Sequence, residues 1–180
     1  KEAIGNNINQ TERIELAAGN NKIEISCINE KGAESYRAMI HESYKGPEKS
    51  SLYFIGFGVS KYSDGTLDLK YAHKDVLDLE KLFMGMKRKY TNVFTRTFID
   101  EAVTIENIKS AKAFIENAGV DDTFVLFIAG HGVHDLDNET TYYYLTHNAD
   151  VKNLRDTAAN FELVEDLLQG IKPRNKLFLM

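Results

Sequence analysis

This chain of 180 residues has one cysteine and fewer basic than acidic residues. A single cysteine, Cys27, excludes an intrachain disulfide and fits a reducing compartment, which slightly favours an intracellular location. The 22 basic residues against 27 acidic ones give a net charge of −5, which argues against nucleic acid or an anionic membrane as a partner. No apolar run approaches the roughly 20 residues that span a bilayer, and the first residues lack a signal-like pattern. What is present, 43% hydrophobic and 27% charged residues, is the composition of an ordinary globular domain.

The first 45 residues differ in pattern from the rest. The segment Ile23–Ile28 alternates apolar and polar side chains, which predicts a half-buried strand. Turn-forming sequences flank it at Gly19–Asn21 and Asn29–Gly32. Residues 1–45 are therefore predicted to be an N-terminal β-arm or the end of a β-sandwich-like module, and residues 44–50 a linker.

From Ser51 onward the pattern becomes one of alternating strands and helices. The predicted strands are Leu52–Ser60, Val93–Phe98, Phe124–Ala129, Tyr142–Thr146 and Lys176–Met180. The predicted helices are Ala72–Met86, a helix that Thr104 caps and Asn117–Gly119 ends, and a third that Asn160 caps and that runs to Leu168. This order predicts an α/β fold over residues 50–180, with a mainly parallel sheet and helices on both faces.

A histidine follows the carboxyl end of one of the predicted strands. The apolar strand that precedes it ends in His131 and Gly132, and reactive groups of α/β folds gather beyond the carboxyl ends of the strands. The last predicted strand, Lys176–Met180, brings whatever polypeptide follows it to the same edge. It is apolar and nothing terminates it, so we expect the chain to be a piece of a longer protein. A reactive partner of His131 is then expected within a few residues after Met180.

The ordered elements resemble the caspase-like cysteine peptidases, the clan of caspases, metacaspases and their bacterial relatives. In these proteins one strand ends in a Ser/Ala-Gly-His-Gly box and the next core strand leads into an Asp-x-Cys box. Here Ile128–Gly132 resembles the first box, and Lys176–Met180 resembles the strand that leads into the second. The segments Leu52–Tyr62, Tyr71–Asp75 and Asp100–Thr104 resemble the first strand, the start of the first helix and a later strand-to-helix junction.

The resemblance implies a cysteine endopeptidase that acts on a protein or peptide substrate. It makes His131 the general base and the Gly132 amide half of the oxyanion hole. Asp75 aligns with a metacaspase aspartate that lines the pocket for a basic P1 side chain, where a buried carboxylate would select arginine or lysine. The nucleophilic cysteine lies beyond Met180, so the chain needs its missing C-terminal part as a partner and is expected to be inactive alone. No cofactor is required, although some relatives bind calcium, for which the loop Asp135–Glu139 is a candidate.

These residues also have several simpler interpretations. His131 could be a structural histidine at a turn, and with His134, Asp135 and Asp137 it could suggest a metal site. The loop Asp135–Glu139 is more typical of a solvated acidic loop than of a calcium site.

Other residues and other functions also have plainer interpretations. Asp75 could simply favour the positive end of its helix, and Cys27 is predicted to be a buried, unreactive thiol. For the whole domain, the alternatives are a catalytically inactive caspase-like signalling module and a flavodoxin-like domain that binds a small ligand.

Overall fold

The computed structural model describes residues 2–4, 7–47, 50–135 and 141–180, which fall into two compact units. The first unit comprises residues 1–46 and the second residues 47–180. Among the described residues, no helix combines the length and the apolar character needed to cross a membrane.

The first unit is built from two antiparallel hairpins. Strands β1 (Glu2–Ile4) and β2 (Asn7–Asn9) form one, and β3 (Gly19–Ile25) pairs with β4 (Ala38–Tyr44) to form the other. The predicted strand is thus displaced toward the N-terminus, and its first residues include the Gly19–Asn21 segment predicted as a turn. The side chain of Ile25 is 53% exposed, because within the described part of this unit no second layer covers the hairpin.

Cys27 is exposed, so the prediction of a buried thiol is wrong. Strand β3 ends at Ile25, and the cysteine falls in the irregular segment that follows. Its backbone N–H donates to Ser35 Oγ at 3.0 Å, which fixes the main chain and leaves the thiol at the surface.

The second unit alternates strands and helices. Its longer strands are β5 (Leu52–Gly58), β6 (Val93–Ile99), β7 (Thr123–Ala129) and β11 (Asn175–Leu179). Its shorter strands are β8 (Gly132–His134), β9 (Tyr142–Tyr144) and β10 (Ala159–Asn160). Its helices are α1 (Ala72–Met84), α2 (Ile105–Ala111), α3 (Leu154–Thr157) and α4 (Phe161–Asp166), with 3-10 turns at Gly65–Leu67, Asp100–Ala102 and Lys112–Ile115. Thr104 and Asn160 cap α2 and α4 as predicted, each accepting a hydrogen bond from a backbone N–H of the first turn.

The longer strands form one parallel sheet in the order β11-β7-β5-β6. Strand β5 is buried along its whole length, and its alternate side chains serve two cores. One core lies on the α1 side and contains Leu52, Phe54, Phe83, Tyr90 and Val125. The other lies on the opposite face, where α2 and α4 pack, and includes Ile55, Phe57, Ile108, Leu126 and Val164. The sequence-based prediction of an α/β fold, a mainly parallel sheet with helices on both faces, is therefore confirmed.

Two strands differ from their predictions. Gly132–His134 forms the edge strand β8 of an antiparallel sheet ordered β10-β9-β8, although its sequence gave no strand signal. The terminal strand is apolar in sequence, yet only Phe178 and Leu179 of β11 are partly buried, while Leu177 is 46% exposed and Met180, which follows the strand, is 76% exposed. The physical reason is that among the described residues β11 pairs with β7 alone and lies at an edge of the parallel sheet.

Two glycines of β5 let helix α1 approach the sheet closely. A Cβ atom at Gly58 would lie 2.6 Å from the Ala72 carbonyl oxygen and 2.6 Å from Val76 Cγ2. A Cβ atom at Gly56 would lie 2.8 Å from Val76 Cγ1. These positions admit no side chain unless the helix moves.

We therefore expect Gly58→Ala to destabilise the second unit by about 1–3 kcal/mol, because α1 must shift or its contacts must strain. The free energy of unfolding from urea denaturation checks this. Gly65→Ala is the matched control, since a Cβ atom there meets nothing within 4 Å. Equal stability of the two variants would contradict the close approach of α1.

Candidate functional site

The carboxyl ends of the four parallel strands meet at one edge of the sheet. His131 follows β7, Met180 follows β11, Ser60 follows β5 and Asp100 follows β6. Because the strand order is β11-β7-β5-β6, the segment carrying His131 lies between the segments that carry Met180 and Ser60. This edge is where α/β folds bind ligands.

One nitrogen of the His131 ring is held by a backbone carbonyl. His131 Nε2 lies 2.9 Å from the carbonyl oxygen of Leu67. A carbonyl oxygen can only accept, so Nε2 carries the proton and donates it. In the neutral ring Nδ1 then has the lone pair, which makes Nδ1 the atom that can take a proton from a neighbouring group.

Two tyrosines hold the main chain on either side of Gly130. The backbone N–H of His131 donates to Tyr62 Oη at 2.9 Å, and Tyr144 Oη donates to the Ala129 carbonyl at 3.0 Å. Gly130 has a φ of 155°, and a Cβ atom there would lie 3.0 Å from Tyr62 Oη and 3.0 Å from Tyr144 Cε2. A glycine is therefore required at this turn for both its backbone angle and its surroundings.

Both phenols remain protonated in the neutral pH range. Burial raises the pKa of Tyr62, the hydrogen bond from the His131 amide opposes this, and the charge of Asp100 raises it further. Burial, followed by the nearby Tyr62 and Asp100, raises the pKa of Tyr144 well above its usual range. A neutral Tyr144 can therefore donate to the Ala129 carbonyl throughout the neutral pH range.

The backbone N–H of Gly132 points away from its sheet partner. Gly132 is opposite Tyr144, while the neighbouring positions are bonded through Leu145 N to His131 O and Asp135 N to Thr141 O. In an antiparallel ladder such bonded positions alternate with non-bonded ones, so Gly132 is at a non-bonded position. Since β8 is an edge strand, its N–H is directed to the outer side of the sheet.

A cleft of about 300 Å³ opens beside these groups. It is lined by residues of α1, β7, β8, β9 and the end of β11, namely Asp75, Phe127, Ile128, Ala129, Gly130, Gly132, Tyr142, Tyr144 and Met180. The structure thus brings together two predicted site residues, Asp75 and Gly132, with the end of the terminal strand. His131 lies between Gly130 and Gly132 but does not itself line this cleft.

Asp75 is exposed, not buried as the pocket role required. It lies in the first turn of α1, so both the helix-end and the cleft interpretations of this residue fit its position. Among the described lining residues it carries the only charged side chain.

The pairing of β11 with β7 brings the end of the terminal strand to the sheet edge where His131 lies. The two strands run parallel, with Asn175 opposite Thr123 and Leu179 opposite Phe127. Strand β7 continues to Ala129, and His131 follows two residues later.

The two candidate metal sites lie only partly within the described residues. Over residues 2–4, 7–47, 50–135 and 141–180, no group of three or more possible ligands is positioned to hold a metal ion. Asp137 and most of the calcium candidate, positions 136–139, lie outside the described residues. His134 instead packs edge-on against Tyr142, with ring centroids 5.1 Å apart.

Sequence reasoning missed Tyr62, Tyr144 and the Leu67 carbonyl. Tyr62 had a usable signal, because it follows the carboxyl end of β5 at the same sheet edge as His131. The Leu67 carbonyl had none, since every residue has a carbonyl group.

No protein-family profile matches this chain, and no curated protein sequence is significantly similar to it. Among solved structures it is similar to the crystal structure of a Geobacter sulfurreducens protein that was a structural-genomics target, with a TM-score of 0.53 and 15% sequence identity. The match covers 72% of this chain and 48% of that chain, so this chain spans about half the length of its structural neighbour. At this identity the likeness establishes a shared α/β fold alone.

Replacing Tyr62 with phenylalanine tests how much the site depends on its hydroxyl group. Tyr62→Phe removes the acceptor of the part-buried His131 N–H, and we expect a loss of about 1–2 kcal/mol in the free energy of unfolding. Urea denaturation measures it, with the exposed Tyr71→Phe as control. If both variants were equally stable, the hydroxyl of Tyr62 would not hold the His131 main chain.

Proposed function

We propose that this chain carries the histidine half of a caspase-like cysteine endopeptidase that cleaves after basic residues. The observation that carries the proposal is the shared cleft, where the outward N–H of Gly132, the carboxylate of Asp75 and the end of β11 meet next to His131. Each group has a distinct task in peptide hydrolysis, and the ordered motifs of the sequence supply the same assignment.

His131 acts as the base through Nδ1, because Nε2 is already donating to Leu67. Nδ1 takes the proton of a thiol that the polypeptide after Met180 supplies, and the thiolate sulfur bonds to the substrate carbonyl carbon. The carbonyl π electrons move to oxygen, where the N–H of Gly132 and the amide of the nucleophile stabilise the negative charge. When the tetrahedral intermediate collapses, the C–N bond breaks and the imidazolium protonates the leaving amine. Water then hydrolyses the thioester, which releases the acid and regenerates the thiol.

Asp75 supplies selectivity for a positively charged P1 side chain. Its carboxylate is the only charged side chain among the described lining residues, and a charge-assisted hydrogen bond to arginine or lysine forms there. Because Asp75 is exposed, solvent screens the pair and limits its contribution to binding.

Activity of the longer polypeptide that includes the positions after Met180 tests the role of His131. We expect cleavage of fluorogenic peptides that end in arginine or lysine, and a loss of about 10²–10⁴-fold in kcat/KM for His131→Gln. His134→Gln, three residues further along in β8, and Cys27→Ser, in the first unit, are controls that should retain activity.

Two outcomes would contradict the proposal. One is a protein in which no cysteine occupies the first few positions after Met180, which would favour an inactive signalling module. The other is a His131→Gln variant with normal turnover.

The role of Asp75 has a separate test. We expect Asp75→Asn to lower kcat/KM for arginine and lysine substrates by about tenfold, the effect of a partly screened charge pair. Asp78→Asn is the matched control, because Asp78 is exposed one helical turn further along α1 and pairs with Lys74. Cleavage exclusively after aspartate, or an equal effect of both substitutions, would remove Asp75 from the substrate pocket.

A further inference from the structure

Asp100, at the carboxyl end of β6, has an unusual backbone conformation. Its φ is 46°, and among the described residues it is the only residue other than glycine with a positive φ. This region of conformational space is disfavoured for residues with a Cβ atom, although asparagine and aspartate enter it more readily than others. Such a conformation persists where the surroundings hold it in place.

The carboxylate of Asp100 holds the turn that follows β5. Asp100 Oδ1 accepts hydrogen bonds from Ser60 N at 2.7 Å and from Lys61 N at 2.8 Å. The side chain of Asp100 is 16% exposed and Ser60 is fully buried, so the bond from Ser60 is partly shielded from water, whereas the bond from Lys61 is exposed. Hydrogen bonds to a carboxylate are stronger than those between neutral groups.

The loop that starts at this turn is closed on itself by further bonds. Leu69 N donates to the Ser60 carbonyl at 2.8 Å, so the loop returns to the residue that Asp100 holds. Within it Asp68 accepts from Tyr62 N at 3.0 Å and from Lys61 Nζ at 2.7 Å. The hydrogen bond from Lys61, and then that from Tyr62, lowers the pKa of the Asp68 carboxyl, which keeps this closure in place at neutral pH.

Two of the atoms that hold His131 belong to this loop. Tyr62 Oη accepts from the His131 main chain, and the Leu67 carbonyl accepts from its ring. A continuous path of hydrogen bonds therefore runs from the end of β6, through the loop after β5, to the end of β7. The Asp100 carboxylate ties this path to the end of β6, and His147 also holds the loop, with Nδ1 2.7 Å from the Lys61 carbonyl oxygen and its own carbonyl accepting from Ser63 N at 2.8 Å.

We propose that Asp100 is a positioning residue for His131, acting through the loop of residues 60–69. Its carboxylate fixes the position of the first loop residues, so that the Leu67 carbonyl accepts a hydrogen bond from Nε2–H. Nδ1 is then the nitrogen that can act as the base. The importance of this for catalysis rests on the proposed function, whereas the positioning itself is a property of the free protein.

The test observes the ring proton of His131 directly. Long-range ¹H–¹⁵N spectra of the ¹⁵N-histidine-labelled chain report whether Nε2–H is hydrogen-bonded, and His131→Gln assigns its signal among the five histidines. We expect a protected Nε2–H in the unmutated protein. We expect Asp100→Gly to speed its exchange at least tenfold, although glycine accepts the positive φ without strain.

Two further variants separate positioning from a general structural role. Asp100→Asn should restore the protected signal, because asparagine tolerates this φ and its amide oxygen can accept from Ser60 and Lys61. Its amide nitrogen would then face His73 Nδ1, which lies 4.0 Å from Asp100 Oδ2 and has no hydrogen-bond partner among the described residues.

Asp122→Ala is the matched control, since it removes another carboxylate that accepts two backbone N–H groups, from Ser51 at 2.7 Å and Gly119 at 2.8 Å.

A protected signal in Asp100→Gly, its loss in folded Asp100→Asn, or its loss in Asp122→Ala would each overturn the proposal. The unmutated protein provides a second measurement that does not depend on whether a variant folds. In rising urea, protection of the Ser60 and Lys61 amides and of the His131 ring proton should fall together. A ring proton that exchanges while both amides stay protected would overturn the proposal.

These readouts need neither substrate nor nucleophile, so they are independent of the peptidase assignment. If the longer polypeptide cleaves peptides, Asp100→Gly should also lower kcat by about tenfold or more with little change in KM, as misplacement of a catalytic group does. Failure of cleavage with the ring signals as expected would refute the proposed function alone. Unchanged kcat in Asp100→Gly would refute the positioning role alone.

Discussion

The hydrogen bond between His131 Nε2 and the Leu67 carbonyl determines what the imidazole can do. Because the carbonyl has no proton to give, the bond fixes the tautomer and the direction of the ring together. A histidine at the end of a strand could otherwise turn either nitrogen toward the cleft or toward solvent. The bond thus gives a surface-accessible side chain one defined basic atom, a requirement that general-base catalysis shares with other proton transfers.

The bond in turn depends on how the ends of parallel strands are joined. Within the sheet, backbone hydrogen bonds tie β5, β6 and β7 together, and the last of them between β5 and β7 runs from Val59 N to the Ala129 carbonyl at 3.0 Å. Past the ends of the strands, side chains connect the segments. Asp100 accepts a hydrogen bond from the segment after β5, and Tyr62 accepts one from the segment after β7. The disfavoured φ of Asp100 is consistent with this role, because two short bonds to an ionised oxygen offset a conformation that costs of order 1–3 kcal/mol.

The fold was more predictable from the sequence than the site. Hydrophobic periodicity located β5, β6, β7 and α1, and the caps Thr104 and Asn160 are local signals that the structure confirms. Strand β8 was not predictable, because its three residues include an exposed glycine and an exposed histidine whose pairing with β9 is decided by the preceding turn. The exposure of Cys27 and of β11 depends on which layers are present, which periodicity does not report.

Within the site, the residues that follow a recognisable strand could be predicted, whereas those that act through contacts with distant segments could not. His131 and its flanking glycines were identified because they follow a buried strand. The structure supplies separate reasons for the two glycines: a positive φ between two tyrosines for Gly130, and the space taken by the Tyr142 ring at Gly132. The Leu67 carbonyl and Asp100 depend on contacts between segments 64 and 40 residues apart along the chain, to which no local pattern points.

The two halves of the proposed site differ in how firmly they are held. His131 is fixed through its ring, its main chain and the strand before it, whereas among the described residues β11 pairs with β7 alone and exposes its first three residues. In a reaction that needs two groups aligned to within a fraction of an ångström, alignment is limited by the less constrained partner. For the proposed reaction, the pairing of β11 with β7 is therefore the less constrained half of the site.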